Sequence, residues 1–273
     1  MIPAEHPTII EGDALTRRIF APAAYRLARD TAVVPIVAGE AFRLASCFPV
    51  VWRRRESRTE LVAVRALLDD VEAQTPAFRA AYPLALQAYP FLLASSTGSD
   101  GVTRLLDHAV ADAPTDVGAS VTTTDGRPSY ATTLRLRMLD VIERQLPFTD
   151  AIGRSLVDAD LLEPWELTFD IDGTRIGIPD LLVARQSAFD TGAYSEIVAR
   201  HGAPAAELLA LHRISLFRAG LLLVTARAFV KRRNQGAAEI AARVSASLVP
   251  RHDTDSEPPS ASDVVLSSQD EVR

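Results

Sequence analysis

The sequence predicts an α+β fold, and three observations carry that expectation. Short β-patterned runs alternate with helical stripes along the chain. Residues 165–178 alternate apolar and polar side chains around Asp172-Gly173, a hairpin signature. A long apolar segment from Pro204 to about Arg233 ends on Lys231, Arg232 and Arg233, charges that suit the negative end of a helix. The expected architecture is two β-hairpin-containing lobes, residues 25–95 and 128–233, sharing one core. A polar connection over 96–127 joins the lobes and a C-terminal helical segment follows. Residues 1–24 form an N-terminal extension, and 234–273 form a mostly disordered acidic tail.

Phe42, Leu44, Ala45 and Phe48 fit a short helix between Pro35 and Pro49, with Val37 one turn earlier. Pro49 cannot continue it, and Val50, Val51 and Trp52 begin a strand. A charged run over 53–57 interrupts the apolar pattern, which resumes from Thr59, so residues 50–67 read as a hairpin. On that reading Arg53, Arg54 and Arg55 belong to a solvated turn; an anion site is the functional alternative.

Thr75 suits a helix N-cap with Pro76 at N1, and Phe78, Tyr82, Ala85 and Tyr89 recur on one helical face. Pro83 kinks or restarts that helix, and Pro90 ends it because the residue before a proline is pushed out of the helical region. Phe91–Ser95 then leave as a buried strand. Tyr82 and Tyr89 read as packing residues whose hydroxyls find polar partners, with a ligand-facing role as the alternative.

Residues 96–127 are rich in Ser, Thr, Gly and Asp, with one apolar island at 102–110. Leu134, Met138, Val141, Ile142 and Gln145 trace a helix that Pro147 stops. A second helix, capped at Thr149, ends before Pro164. In the hairpin, Asp172-Gly173 makes a two-residue turn. That register sets Phe169 opposite Ile176 and Leu167 opposite Ile178, with Asp170 facing Arg175 on the other side. Beyond Pro250, Asp253, Asp255, Glu257, Asp263, Asp270 and Glu271 outnumber Arg251 and Arg273, and Pro258-Pro259 blocks a helix.

Composition limits the function classes. The 273 residues are 48% hydrophobic and carry a net charge of -6, which suits a folded core and argues against a chain-wide nucleic-acid footprint. Lys231 is the sole lysine, and Cys47 the sole cysteine, so no intrachain disulfide forms. The first residues lack both the basic and the apolar regions of a secretory signal, so the expected location is cytoplasmic; surface export by a signal-independent route is the alternative. The most apolar stretch, residues 219–230, falls short of the roughly 20 residues a membrane-spanning helix needs.

No phosphate-binding loop, dinucleotide fingerprint, zinc-protease motif, nucleophile elbow or paired CxxC occurs. His6, His108, His201, His212 and His252 are scattered. His108 and Asp112 stand four apart, but two groups do not make a metal site. His212 and Ser215 stand three apart on a helix, either a base beside a hydroxyl or a buried polar pair tying the helix to its neighbour. With no third orienting group assignable, the structural reading is favoured. Cys47 reads as core, and Glu40 as facing solvent or Arg43. No catalytic residue, cofactor or metal is assigned. Trp52, Tyr89, Trp165, His212 and Ser215 are the binding candidates, should folding bring them into one cleft.

The order of segments resembles the bacterial SapC-like family. The carriers are VPIVAGEAFRLASCFPVVW (34–52), TPAFRAAYPLALQAYPFLL (75–93), VTTTDGRPS (121–129), LVDADLLEPWELTFDIDGTRIGI (156–178) and ELLALHRISLFR (207–218). Family members similarly show Val-Pro followed by Glu-Phe and a Tyr-Pro strand, a later Arg-Tyr-Pro-Phe, and a C-terminal His-x-x-Ser-Leu. Here Phe48-Pro49 replaces the Tyr-Pro, and Ala88 stands where the arginine usually is. The family takes its name from a surface-layer locus, while many members look like soluble proteins encoded near TonB-dependent receptors, cupin-type oxygenases and flavin-dependent halogenases. The resemblance implies a scaffold without an established activity. The expected function is a non-catalytic accessory or binding protein with a protein partner, at the cell envelope or beside a partner enzyme. The alternative is an enzyme or substrate-presenting subunit of an oxidative, oxygenase- or halogenase-linked, modification system.

Overall fold

The apolar runs Val50–Trp52, Leu61–Val64 and Leu181–Ala184 lack polar alternation because the strands they form are covered on both faces. A computed structural model of the protein describes residues 4–55, 58–68, 81–95, 102–171, 173–186, 189 and 192–248. The first half contains β1 (Pro7–Ile9), β2 (Arg18–Ile19), α1 (Arg26–Asp30), β3 (Val33–Pro35), α2 (Ala41–Leu44), β4 (Val50–Arg55), β5 (Arg58–Val64), α3 (Leu84–Ala88), β6 (Phe91–Ser95), β7 (Val102–Asp107) and β8 (Ala119–Ser120). The second contains α4 (Tyr130–Asp158), β9 (Leu162–Pro164), β10 (Thr168–Ile171), β11 (Thr174–Gly177), β12 (Leu181–Ala184), α5 (Gly192–His201), α6 (Ala203–Ser215) and α7 (Arg218–Leu248). The fold is α+β.

A five-stranded sheet of order β3-β5-β4-β12-β9 organises the fold. It draws strands from both predicted lobes, which are therefore interleaved through the pairing of β4 with β12. Val50, Trp52, Leu61, Ala63, Leu182 and Ala184 face a core closed by α2, α4 and α6. Val51, Val62, Val64, Leu181 and Val183 face the opposite core, closed by the β10–β11 hairpin and α7. A second sheet, β1-β7-β6, draws in residues 7–9 of the expected N-terminal extension. The pairing of β2 with β8 ties down Arg18–Ile19 as well.

Both hairpins form, but Arg53, Arg54 and Arg55 are not the solvated turn expected of them: they continue β4, held in the ladder by pairing of Arg53 with Glu60 and of Arg54 with Thr59. β4 and β5 pair from Val50↔Ala63 to Arg55↔Arg58. β10 and β11 set Phe169 opposite Ile176 and Asp170 opposite Arg175, and the Ile178 amide donates to Leu167 at 3.4 Å. Pro83 does restart a helix, α3, which ends at Ala88 before Tyr89-Pro90 and hands the chain to β6. The proposed start at Thr75 lies outside the described residues, as does the acidic tail beyond Pro250.

Three helical boundaries depart from the sequence reading. Pro147 does not stop α4; the helix runs through it from Tyr130 to Asp158. An interior proline costs about 3 kcal/mol. Burial of Ile152 and Leu156 beyond it, at about 1.5–3 kcal/mol each, offsets that. Residues on both sides of Pro147 are also fastened: the Gly39 amide donates to Gln145 Oε1 at 3.0 Å and the Ala38 amide to Thr149 Oγ1 at 2.9 Å. Thr149 is consequently an interior residue, not a cap. Its hydroxyl donates to the Gln145 carbonyl.

The helix expected from Pro204 to about Arg233 is instead two, α6 and α7, meeting at a 40° bend. The break at Leu216–Phe217 lets one buried stripe serve both cores. Leu208, Leu209, His212 and Ser215 pack on the first side, while Leu222 and Ala226 pack on the second. α7 also continues past Arg233 to Leu248, where the sequence reading places the start of the tail. Residues up to Lys231 form one compact unit, and the chain from Arg232 a second.

Candidate functional site

β4 and β12 pair through Leu182↔Trp52, and the Arg54 amide donates to the Asp180 carbonyl at 2.8 Å. Continuing that antiparallel register, the next hydrogen-bonding pair would be Val50 with Ala184. The His212 ring stands between them instead. The Ala184 amide donates to Nε2 at 3.1 Å, and Nδ1 lies 2.7 Å from the Val50 carbonyl oxygen. An amide can only donate and a carbonyl can only accept, so the neutral ring carries its proton on Nδ1. Ser215, one turn along α6, accepts from the Val50 amide at 2.9 Å and donates to the His212 carbonyl at 2.7 Å. The Trp52 ring stacks on the imidazole at 4.7 Å, tilted by 58°.

This arrangement decides between the two sequence readings of His212 and Ser215. Both ring nitrogens are bonded to backbone, and the hydroxyl proton goes to a carbonyl; both residues are fully buried. The pair ties α6 to the open end of the β4–β12 ladder. Burial holds the His212 pKa down to about 4, with the nearby Arg213 charge adding and the Val50 bond opposing.

The depressed value has a testable consequence. His212 is neutral when folded, whereas in the unfolded chain it titrates near its ordinary 6.5. Unfolding therefore takes up a proton as pH falls. The stability this residue contributes is complete above about 6.5 and declines towards about 4, by roughly 1 kcal/mol per pH unit. Urea unfolding of the wild type and of His212→Gln between about pH 7 and pH 5 reads this difference. Parallel profiles for the two proteins would contradict it.

The other binding candidates lie elsewhere. Tyr89 is buried in a different core, its ring edge-on to Tyr25 at 5.0 Å. Its hydroxyl donates to Asp107 Oδ2 at 2.8 Å, and burial followed by that carboxylate raises its pKa well above the usual phenol range. The buried Asp107 also accepts from the amides of Glu5 at 2.9 Å and His6 at 2.7 Å, fastening the chain just before β1. Arg135 of α4 spans the same region, donating to the carbonyls of Tyr89 at 3.1 Å and Phe20 at 2.5 Å. Trp165 is half-buried against the core on the opposite side of the five-stranded sheet from Trp52. The single cleft expected for Trp52, Tyr89, Trp165 and His212 is therefore not formed; only Trp52, His212 and Ser215 meet.

Other expectations also change. Of the two expectations for Glu40, solvent fails and Arg43 holds: it is 4% exposed, accepts from the Leu84 amide at 2.6 Å and the Val37 amide at 3.2 Å, and pairs with Arg43 at 3.4 Å. Burial raises its pKa against those bonds. Its signal in the sequence is a lone carboxylate within an apolar run, three residues after Val37, close enough to reach back to the Val37 amide. Phe42, expected on the same helix as core residues, is 73% exposed. His108 and Asp112 take separate partners, Thr8 at 2.7 Å and Arg29 at 2.8 Å.

The three consecutive arginines reach an open cleft of about 810 Å³, together with Arg26 and the carboxylates of Glu5, Asp30 and Asp180. Arg53 is engaged by Glu60, whereas the exposed Arg54 side chain makes no hydrogen bond or ion pair with the described residues. Charges of both signs line this cleft together with the apolar Leu27, Val33 and Ile178. Among the described residues no group of three or more potential metal-ligating side chains is gathered.

The two-faced sheet and its His212 fastening define an α+β scaffold with an open cleft lined by both signs of charge. The sequence profile of the SapC family matches residues 16–218, and the chain belongs to that family. No curated protein matches the chain, and neither does any solved structure.

Proposed function

We propose that this SapC-family protein is a non-catalytic accessory or binding protein, acting at the cell envelope or beside a partner enzyme. The observation that carries the reading is the commitment of His212 and Ser215, the base–hydroxyl pair that helical spacing singles out in the sequence, to backbone bonds inside the core. What the fold offers to other molecules is the cleft at Arg26 and Arg53–Arg55, whose paired signs of charge suit a protein loop carrying both. A partner held there would lose affinity on charge reversal at an exposed position, with no effect on folding.

The test is capture from the native host with the full chain and with Arg54→Glu. The expected result is a partner retained by the wild type and reduced at least about tenfold by the reversal, the loss shrinking as salt rises. Turnover of a small molecule by the purified chain alone would overturn the reading.

A further inference from the structure

The outer face of α6 and the first half of α7 carries a feature that neither core explains. Exposed positions recur at steps of three or four across the bend: Ala210, Ile214, Phe217, Gly220, Val224, Ala228 and Lys231. Three large apolar side chains stand on this stripe, Ile214 at 60%, Phe217 at 62% and Val224 at 61% exposed. Scattered apolar side chains on a surface need no explanation, but one or so per turn on a single helical face is an amphipathic pattern facing outward. The buried stripe of the same helices, Leu208, His212, Ser215, Leu222 and Ala226, shows that this face is the one turned from the protein.

The charges beside the stripe are of one sign. Between Glu207 and Glu239 the sequence has no carboxylate, yet it carries Arg213, Arg218, Arg227, Lys231, Arg232 and Arg233, in a chain of net charge -6. Arg213, Arg227 and Lys231 are exposed within the first compact unit. Arg218 lies over the Phe217 ring at 4.4 Å, pairing a cation with an apolar anchor. Among the described residues no helix is by itself long and apolar enough to cross a membrane; α6 and α7 reach that length and apolarity only together, across their 40° bend, and their inward stripe is already packed into the protein's own cores, which leaves the outward face for a surface.

We propose that the outer face of α6–α7 docks on an anionic lipid surface. Ile214, Phe217 and Val224 enter the boundary between headgroups and acyl chains, and Arg213, Arg227 and Lys231 pair with lipid phosphates. Long basic side chains suit this geometry because their stems lie along apolar surface while their charges stay at headgroup level. Nucleic acid would use the cations but not the aliphatic side chains between them. The proposal deepens the accessory reading by naming a surface, and uses none of the residues of the arginine cleft.

Flotation of the full chain with phosphatidylcholine vesicles, and with vesicles of about one third phosphatidylglycerol, tests it. The wild type is expected to float with the anionic vesicles only. Phe217→Asp, Val224→Asp and the double reversal Arg213→Glu/Arg227→Glu should each weaken that binding at least about tenfold. A melting curve on each variant separates lost docking from lost fold; should Phe217→Asp fail to fold, Val224→Asp decides. A wild type that stays with the soluble fraction overturns the proposal, as does a folded Val224→Asp that binds as tightly as wild type. A concentration-dependent dimer that Val224→Asp abolishes, without vesicle binding, would assign the stripe to a second copy of the chain instead. Partner capture sensitive to Arg54→Glu but not to these changes would leave the accessory reading standing while this one fails.

Discussion

Replacing His212 with leucine is expected to destabilise the protein by about 3–5 kcal/mol, a fall in melting temperature on the order of 10 °C. Leucine fills much of the space under Trp52 but cannot bond to backbone. The Val50 carbonyl loses its Nδ1 donor and the Ala184 amide its Nε2 acceptor, inside a core that admits no water to either. A buried group stripped of its partner costs about 1–3 kcal/mol, and two are stripped at once. The strands cannot simply close on each other, since the ring bridges them through its two nitrogens and Trp52 packs on it. Glutamine, which has both a donor and an acceptor, should recover part of the loss. A melting temperature for His212→Leu within about 2 °C of wild type would show that the ladder closes without the ring.

Removing the carboxylate of Asp107 has the second largest expected effect, about 3 kcal/mol for Asp107→Ala. Three donors converge on it: the Tyr89 hydroxyl and the amides of Glu5 and His6. Bonds to a charged group contribute about 1.5–3 kcal/mol each, but the two partly buried amides can turn to water once released, so the sum is not reached. The Tyr89 hydroxyl has no such escape, being sealed in its core. The loss should appear first at the N-terminus, as faster amide exchange over β1 and β7, which the carboxylate holds in register. Asp107→Asn keeps one acceptor oxygen and should lose less. Unchanged exchange over β1 in Asp107→Ala would mean that the strand pairing alone holds the N-terminal segment.

How much could be read without the structure follows the range of the interactions. The β10–β11 hairpin was legible down to its register because alternation, turn residues and the Asp170–Arg175 pair are all encoded within fourteen residues of one another. The β4–β5 hairpin and the restart at Pro83 were legible for the same reason. The structural role of His212 and Ser215 could be favoured from their helical spacing and lack of an orienting group, and the family from the order of its segments. The acceptors of that pair could not, since Val50 lies 162 residues from His212.

Local chemistry thus determined the α+β class, the two hairpins and the absence of any contiguous catalytic motif. Tertiary packing alone decided that α4 passes through Pro147, that Glu40 turns inward, and that α6 and α7 separate at Leu216–Phe217. It also decided that Trp52 and His212 meet while Tyr89 and Trp165 pack apart from them. In each of these cases a local preference worth about 1–3 kcal/mol competes with burial and hydrogen bonds of equal or greater size supplied by distant residues. A sequence displays the first of these terms directly, but the second exists only once the chain has brought those residues together.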